Sequence, residues 1–435
     1  MTVITTFLLL SLSLNKKTDW IDDATIYEVN LRQYTEKGTF EAFREHLPRL
    51  KELGVEVLWF MPIHPISEVE KKGELGSYYA VADYKEVNPE FGTMEEFKAL
   101  VEECHDMGFK VILDWVANHT GWDNQWITDH PEWYTQVNGE ITIPAGTNWT
   151  DVADLNYDNE EMRQEMIDAL VFWVEEADID GYRCDVAGSV PVDFWEDARV
   201  ALDKVKPVFM LAEDGSNYSL LDNAFDANYN WYLLDSINTV ANGGRASAIR
   251  SDIRRAAAVY PDGTFPMNFV TNHDENSWNG TTEERLGTSR NLMDALVFTA
   301  PGIPLIYSGQ EANLNKRLLF FDKDEINWSD LSKQDYYERL IDLKKENEAL
   351  WNGSVGGDLT FIDTTEKSIL AYVRTKDNNN VVFIGNFIDQ VTEFTLKSFD
   401  ESGQYRNYFT SEEVTLEEGI NLELGPWAYY ILVRD

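Results

Sequence analysis

From about Thr25 to Leu350 one unit recurs along the chain: apolar residues at helical spacing, a glycine, a continuous apolar run of strand type, and polar groups where the run stops. Phe43, Leu47 and Leu50 lead to Gly54 and the run Val55–Phe60. Thr93 and Glu96 form a capping box that opens a helix with Phe97, Leu100, Val101 and Cys104 on one stripe; Gly108 closes it and Phe109–Asp114 follows as a buried strand. Met166, Ile167, Leu170, Val171 and Val174 repeat the helical spacing before Gly181 and the strand to Asp185. Thr25–Val29, Val208–Leu211, Phe225–Asn228, Met267–Thr271 and Ile303–Tyr307 complete a set of eight strands. Alternating helices and buried strands predict a parallel α/β sheet, and eight strands favour closure into a (β/α)8 barrel.

Two stretches depart from the repeat. Residues 119–151, with Trp122, Trp126, Trp133, Trp149 and Pro144, separate the third strand from its helix by more than the repeat requires, which marks a functional insertion. After Leu350 the pattern changes to period two, in Thr360–Ile362, Ser368–Val373, Val381–Ile384, Thr392–Leu396 and Trp427–Val433, with Asn378–Asn380 as a turn. This tail predicts an antiparallel β-sandwich domain of about 80 residues. The expected organisation is barrel over 19–118 and 152–350, an inserted domain at 119–151, and the sandwich over 351–435. Val3–Leu14 is an apolar run of signal-peptide size, too short to span a bilayer, with Lys16 and Lys17 after it and no A-x-A site. Residues 1–18 are read as a secretory signal segment whose basic start is missing, with an ordinary N-terminal arm as the alternative; the location expected is secreted or periplasmic.

Composition narrows the function. The formal net charge of −41, from 77 acidic and 36 basic residues, repels phosphate backbones and anionic lipid and argues against nucleic acid as a partner. The two cysteines, Cys104 and Cys184, both fall in apolar settings and are expected to be buried free thiols. Aromatics make up 13% of the chain and offer faces on which sugars stack, although most such rings belong to cores.

Chemistry collects at the strand ends, which share one face of a parallel barrel. DWVANH (Asp114–His119), GYRCD (Gly181–Asp185), Glu213 in FMLAED and FVTNHD (Phe269–Asp274) bring carboxylates, an arginine and two histidines together. Asp185 is placed to be a nucleophile, with Arg183 two residues earlier on the same side of the strand to hold it ionised. Glu213 follows Phe209–Ala212 in an apolar setting that raises its pKa and suits a general acid. Asp274, beside His273, can bind sugar hydroxyls and stabilise an oxocarbenium-like transition state.

Together these phrases resemble the four signature regions of the α-amylase family of glycoside hydrolases, supported by Met61-Pro62, Tyr78-Tyr79, NPEFGT at Asn88–Thr93, VADLN at Val152–Asn156 and GIPLIYSGQE at Gly302–Glu311. The resemblance covers nearly the whole chain, including an inserted B domain. It implies Asp185 as nucleophile, Glu213 as acid/base and Asp274 as transition-state stabiliser. It also implies sugar contacts from Arg183, His119 and His273, a stacking role for Tyr79, and Asp114 as the structural acid of the first region. Asn118 and Asp154 occupy calcium-ligand positions, but Gly188 and Ser189 stand where many members carry Lys-His, so calcium is an open expectation and no organic cofactor is implied. The implied substrate is an α-1,4-glucan or maltooligosaccharide, cleaved with retention; 4-α-glucanotransferase and exo-acting α-glucosidase activity are the alternatives. A non-catalytic glucan-binding relative would have lost the nucleophile or the acid/base, and both are present. Oligomeric state is not legible in the sequence.

Overall fold

The computed structural model describes Thr18 to Arg434; the apolar run Val3–Leu14 lies outside these residues. Eight parallel strands close a barrel: β1 (Ile26–Val29), β2 (Val57–Phe60), β3 (Lys110–Trp115), β4 (Gly181–Cys184), β5 (Phe209–Ala212), β6 (Ala227–Tyr229), β7 (Phe265–Asn268) and β8 (Ile303–Tyr307). Each pairs with its neighbours in sequence, and β1 pairs with both β2 and β8. The expected barrel is therefore present. The seventh strand sits a few residues earlier than its apolar run suggested, so Phe269–Thr271 already belong to the rim.

Alternation along each strand divides the apolar residues into two cores. Ile26, Val57, Trp59, Ile112, Phe209 and Leu211 fill the barrel interior. Their neighbours Tyr27, Leu58, Phe60, Leu113 and Met210 pack outward against the helices. Helix Met94–Asp106 starts at the Thr93–Glu96 capping box and buries Phe97, Leu100, Val101 and Cys104. Helix Glu160–Ala177 is capped by the Asn159 side chain and buries Met166, Leu170 and Trp173. Both cysteines are free and buried, as expected. His64, also buried, packs its ring against Trp115 and Trp173 as a core histidine.

The insertion after β3 is tied down by a short antiparallel ladder, in which His119–Gly121 pairs with Val152–Asp154 and His119 lies opposite Asp154. The C-terminal domain consists of β9 (Asp358–Ile362), β10 (Ile369–Lys376), β11 (Asn379–Asn386), β12 (Thr392–Thr395), β13 (Gly403–Asn407), β14 (Glu413–Leu416), β15 (Asn421–Leu424) and β16 (Tyr429–Arg434). Six of these form one antiparallel sheet in the order β9-β10-β11-β16-β13-β14, and the ribbon β12-β15 packs over it through Phe394, Leu396 and Leu424. The periodic pattern did not reveal β13, β14 and β15. The turn between β10 and β11 is Asp377-Asn378, because Lys376 pairs with Asn379.

Gly181 shows why the second motif begins with glycine. A Cβ there would lie 2.0 Å from the Phe209 carbonyl oxygen, so β4 and β5 approach too closely for any side chain. Gly181→Ala is expected to lower stability by about 3 kcal/mol, the upper range for overpacking a rigid interior. Denaturant unfolding would measure it, and a loss under about 0.5 kcal/mol, the scatter of neutral surface substitutions, would contradict the packing account.

Candidate active site

Arg183 is the centre of the site. Alternation along β4 turns it into the barrel, where it is fully buried. Its Nη1 donates to Asp114 Oδ1 at 2.8 Å and to Asp185 Oδ1 at 3.0 Å, and its Nε donates to the Tyr229 hydroxyl at 3.0 Å. Nη2 lies 2.9 Å from Glu213 Oε2. The rings of Trp59, Tyr229 and Tyr79 surround the guanidinium at 5.2–5.8 Å. Ends of three strands, β3, β4 and β5, are thus held by one cation.

The carboxylates around it are not equivalent. Burial pushes Glu213 up to about 7; Arg183 opposes that, while Asp185 and Asp274 add to it. The Val186 backbone N–H also donates to Glu213 Oε2, at 2.7 Å. Val186 adopts a left-handed backbone, φ 36°, which a β-branched residue avoids at a cost of about 1–3 kcal/mol. That turn brings its N–H to Glu213. Asp185 is pushed up to about 6, again chiefly by burial. Arg183 was expected to hold Asp185 ionised; it does pull the carboxyl down, but desolvation outweighs the guanidinium and leaves the pKa raised. The order survives, with Asp185 ionising before Glu213. Asp114 is likewise raised to about 6 by burial against the pull of Arg183, and it accepts from Trp59 Nε1 and the Tyr79 hydroxyl.

Asp274 behaves in the opposite way. Burial would raise it, but His273 overrides that and holds it below the ordinary value. His273 is itself buried between two carboxylates. Its Nε2 lies 3.3 Å from Asp274 Oδ2, and its Nδ1 lies 2.5 Å from Glu28 Oε1. Burial disfavours its charge, yet Asp274 and Glu28 together raise its pKa well above that of a free histidine, so it is an imidazolium. The Tyr79 hydroxyl lies 2.7 Å from His273 Nε2, and the two rings stack at 5.5 Å.

A cavity of about 470 Å³ opens above these groups. Asp185, Glu213 and Asp274 line it, together with Tyr79 and His119. Burial drives the His119 imidazole down to about 4, so it is neutral, and it packs against Trp149 of the insertion. Arg183, His273 and Asp114 lie beneath the lining, within reach of it through the residues they hold. Two carboxyls of different acidity, a third kept ionised, and a buried cation are what glycoside bond cleavage requires.

The sequence profile of the α-amylase catalytic domain matches residues 19–145 and 146–352, and that of the maltogenic amylase C-terminal domain matches 359–431. The chain belongs to the α-amylase family of glycoside hydrolases. It is 27% identical over 416 residues to α-amylase MalA of Haloarcula japonica, covering 89% of this chain but 59% of that protein's length. It is 29% identical to the maltogenic α-amylase of Bacillus acidopullulyticus, covering 91% of this chain and 70% of the relative. The crystal structure of a noncanonic maltogenic α-amylase, AmyB from Thermotoga neapolitana, superposes with a TM-score of 0.85 at 30% identity, over 95% of this chain and 98% of that one.

Within this α-amylase-family site, Gly188 and Ser189 stand where many members carry Lys-His, and a Cβ at Gly188 would sit 2.2 Å from Asp214 Oδ2. Of the two positions expected to bind calcium, Asn118 has its side-chain Nδ2 3.1 Å from His119 Nδ1 and its backbone carbonyl accepts from the Leu155 N–H. Asp154 is half-buried, with its carboxyl raised by desolvation. Calcium takes six to eight oxygens, carbonyls among them; among the described residues no group of three or more His, Cys, Asp or Glu side chains is placed to hold a metal.

Sequence reasoning missed Glu28. It sits in β1 among apolar neighbours, fully buried, and its signal was a charge interrupting a buried strand, unlike Glu213, which follows one. Glu28→Gln removes one of the two carboxylates that keep His273 protonated. The His273 titration followed by NMR is expected to move down by about 1 pH unit or more; an unchanged midpoint would contradict the pairing.

Proposed function

We propose that the chain is a retaining α-glucan hydrolase acting on α-1,4 bonds of starch, glycogen or maltooligosaccharides. The observation that carries this reading is the convergence of Asp185, Glu213 and Asp274 on one cavity, with Asp185 and Glu213 held by the same Arg183 guanidinium. Asp185 Oδ, freed of its proton and oriented by Arg183, attacks the anomeric carbon as the glycosidic C–O bond breaks. Glu213 gives its proton to the departing oxygen, and the chain on the reducing side leaves as an alcohol. Positive charge that builds on the ring oxygen and anomeric carbon faces ionised Asp274. Glu213, now a carboxylate, takes a proton from water as that water attacks the anomeric carbon and releases Asp185. Two inversions return the α configuration. Tyr79 supplies a flat apolar face for the sugar at the cleavage point, and its hydroxyl is fixed by Asp114 and His273.

The maltogenic amylase, cyclomaltodextrinase and neopullulanase names among the relatives support an α-glucan substrate. Among the described residues no helix is long and apolar enough to cross a membrane. Transfer to a second sugar uses the same glycosyl-enzyme and differs only in the acceptor, so it is an outcome the product analysis must separate: chains longer than the substrate would replace the hydrolase reading with a transferase.

Two outcomes test the mechanism. Activity requires Asp185 without its proton and Glu213 with one, so kcat/KM should fall below about pH 6 and again above about pH 7, giving a narrow bell. A plateau extending beyond pH 9 would contradict Glu213 as acid. Asp185→Asn should lower kcat on maltoheptaose by several orders of magnitude while leaving the thermal midpoint close to the parent's. Near-normal turnover would refute the nucleophile.

A further inference from the structure

The backbone departs from regular structure just after Asp274. Glu275–Asn279 form one π-helical turn, closed by the Gly280 N–H donating to the Glu275 carbonyl at 2.9 Å. Such widened turns are rare and recur at functional sites. This one is fixed from both sides. The Glu275 N–H donates to Asn272 Oδ1 at 2.8 Å, and Leu318, in the loop after β8, donates its N–H to Asn276 Oδ1 at 2.9 Å. Ser277 Oγ donates to the Leu318 carbonyl at 3.0 Å. Gly280, at φ 126°, then turns the chain away in a conformation that favours glycine.

The turn sets the side chain of Trp278. Its ring packs against those of Phe320 and Phe321, with centroids 5.1 and 5.8 Å away, and lines the cavity that holds the three carboxyl groups. Tryptophan is highly buried on average, yet this one is 52% exposed, so packing alone does not account for it. Its indole Nε1 donates to Asp274 Oδ1 at 3.2 Å. An indole N–H donates only and does not titrate, so the contact keeps one sense across the working pH range. The Asp274 side chain is 34% exposed, and the terminal torsion of a carboxylate is broad. Its other oxygen, Oδ2, faces His273 Nε2 at 3.3 Å, but that nitrogen also lies 2.7 Å from the Tyr79 hydroxyl. One N–H is thus shared between two partners, and Trp278 supplies the second hold. In the open cavity water competes for this bond; a sugar that fills the site displaces the water and strengthens it.

We propose that Trp278 is a positioning residue for the reaction: its indole N–H and His273 clamp the two oxygens of Asp274 and fix the carboxylate plane that meets the developing positive charge. This rests on the hydrolase reading above, which gives Asp274 its part in the transition state. The charge appears only as the glycosidic bond breaks, so the clamp acts on the transition state more than on the bound sugar. Loss of the N–H therefore lowers kcat and leaves KM nearly alone.

Two variants test it. Trp278→Phe keeps an aromatic ring beside Phe320 and removes the donor; Trp278→Leu keeps apolar bulk and removes it too. Both should lower kcat on maltoheptaose about tenfold or more, the effect of one hydrogen bond to a charged group. KM should stay within about twofold of the parent's, and the thermal midpoint close to it. Fluoride release from α-maltosyl fluoride requires no proton from Glu213 and should fall by the same factor, because Asp274 answers to charge on the sugar whatever group leaves. Parent-like kcat in Trp278→Phe with a loss only in Trp278→Leu would overturn the clamp, since the ring and not its N–H would then matter. A loss on maltoheptaose with none on the fluoride would overturn it by placing the damage at Glu213. Parent-like kcat in both variants, with an active wild type, would overturn this inference alone. No product from either compound with the wild type would overturn the hydrolase reading and this inference with it.

Discussion

One guanidinium holds the site together. Arg183 is fully buried and touches Asp114, Asp185 and Glu213, carboxyl groups from three different strands. Three carboxylates in a space closed to water would repel one another strongly, and each would be driven to keep its proton. With Arg183 among them the repulsion is graded instead of uniform. Asp185, with a hydrogen bond to Nη1, stays the more acidic member of the reacting pair. Glu213, raised by burial and by the charges of Asp185 and Asp274 against the pull of Arg183 and the Val186 N–H, keeps its proton longer. Losing Arg183 would leave its buried carboxyl partners without their cation, typically at a cost of about 3–5 kcal/mol, so the catalytic constellation and the barrel's interior packing depend on the same residue.

A second cation does for Asp274 what Arg183 does for the other pair. His273, held between Glu28 and Asp274, keeps Asp274 ionised at the wall of the cavity, where the proposed mechanism develops positive charge on the sugar. The Tyr79 hydroxyl bridges Asp114 and His273, so the two charged clusters share one aromatic platform. The sugar's flat face, the nucleophile and the stabilising carboxylate are thereby positioned by a single connected set of buried groups.

Much of this was legible in the chain because the signals are local. Parallel strands buried on both faces read as continuous apolar runs, and Gly54, Gly108 and Gly181 punctuate them. The catalytic carboxyls stand where those runs stop. Glu28 was missed because it stands inside the four-residue strand β1 rather than at its end, and its partner His273 lies far away in sequence. Strands β13 to β15 were missed because their exposed positions are polar and their buried ones are few, such as Tyr405, Leu416 and Leu424. The contacts of Lys72 with Asp151 and Phe321 were invisible for a different reason: they join distant stretches of sequence, and no local pattern records which loops touch. Sequence reasoning also weighed the Arg183 charge and left out desolvation, which only burial in the barrel reveals.

The account turns on Asp185 forming a covalent bond to the sugar while Glu213 acts as acid and base. Incubating Glu213→Gln with α-maltosyl fluoride, whose fluoride leaves without protonation, should load the enzyme and stall it before hydrolysis. Peptide mapping by mass spectrometry is expected to find a glycosyl ester on the fragment containing Asp185. A sugar attached to any other residue, or turnover to β-configured product with no adduct, would contradict it.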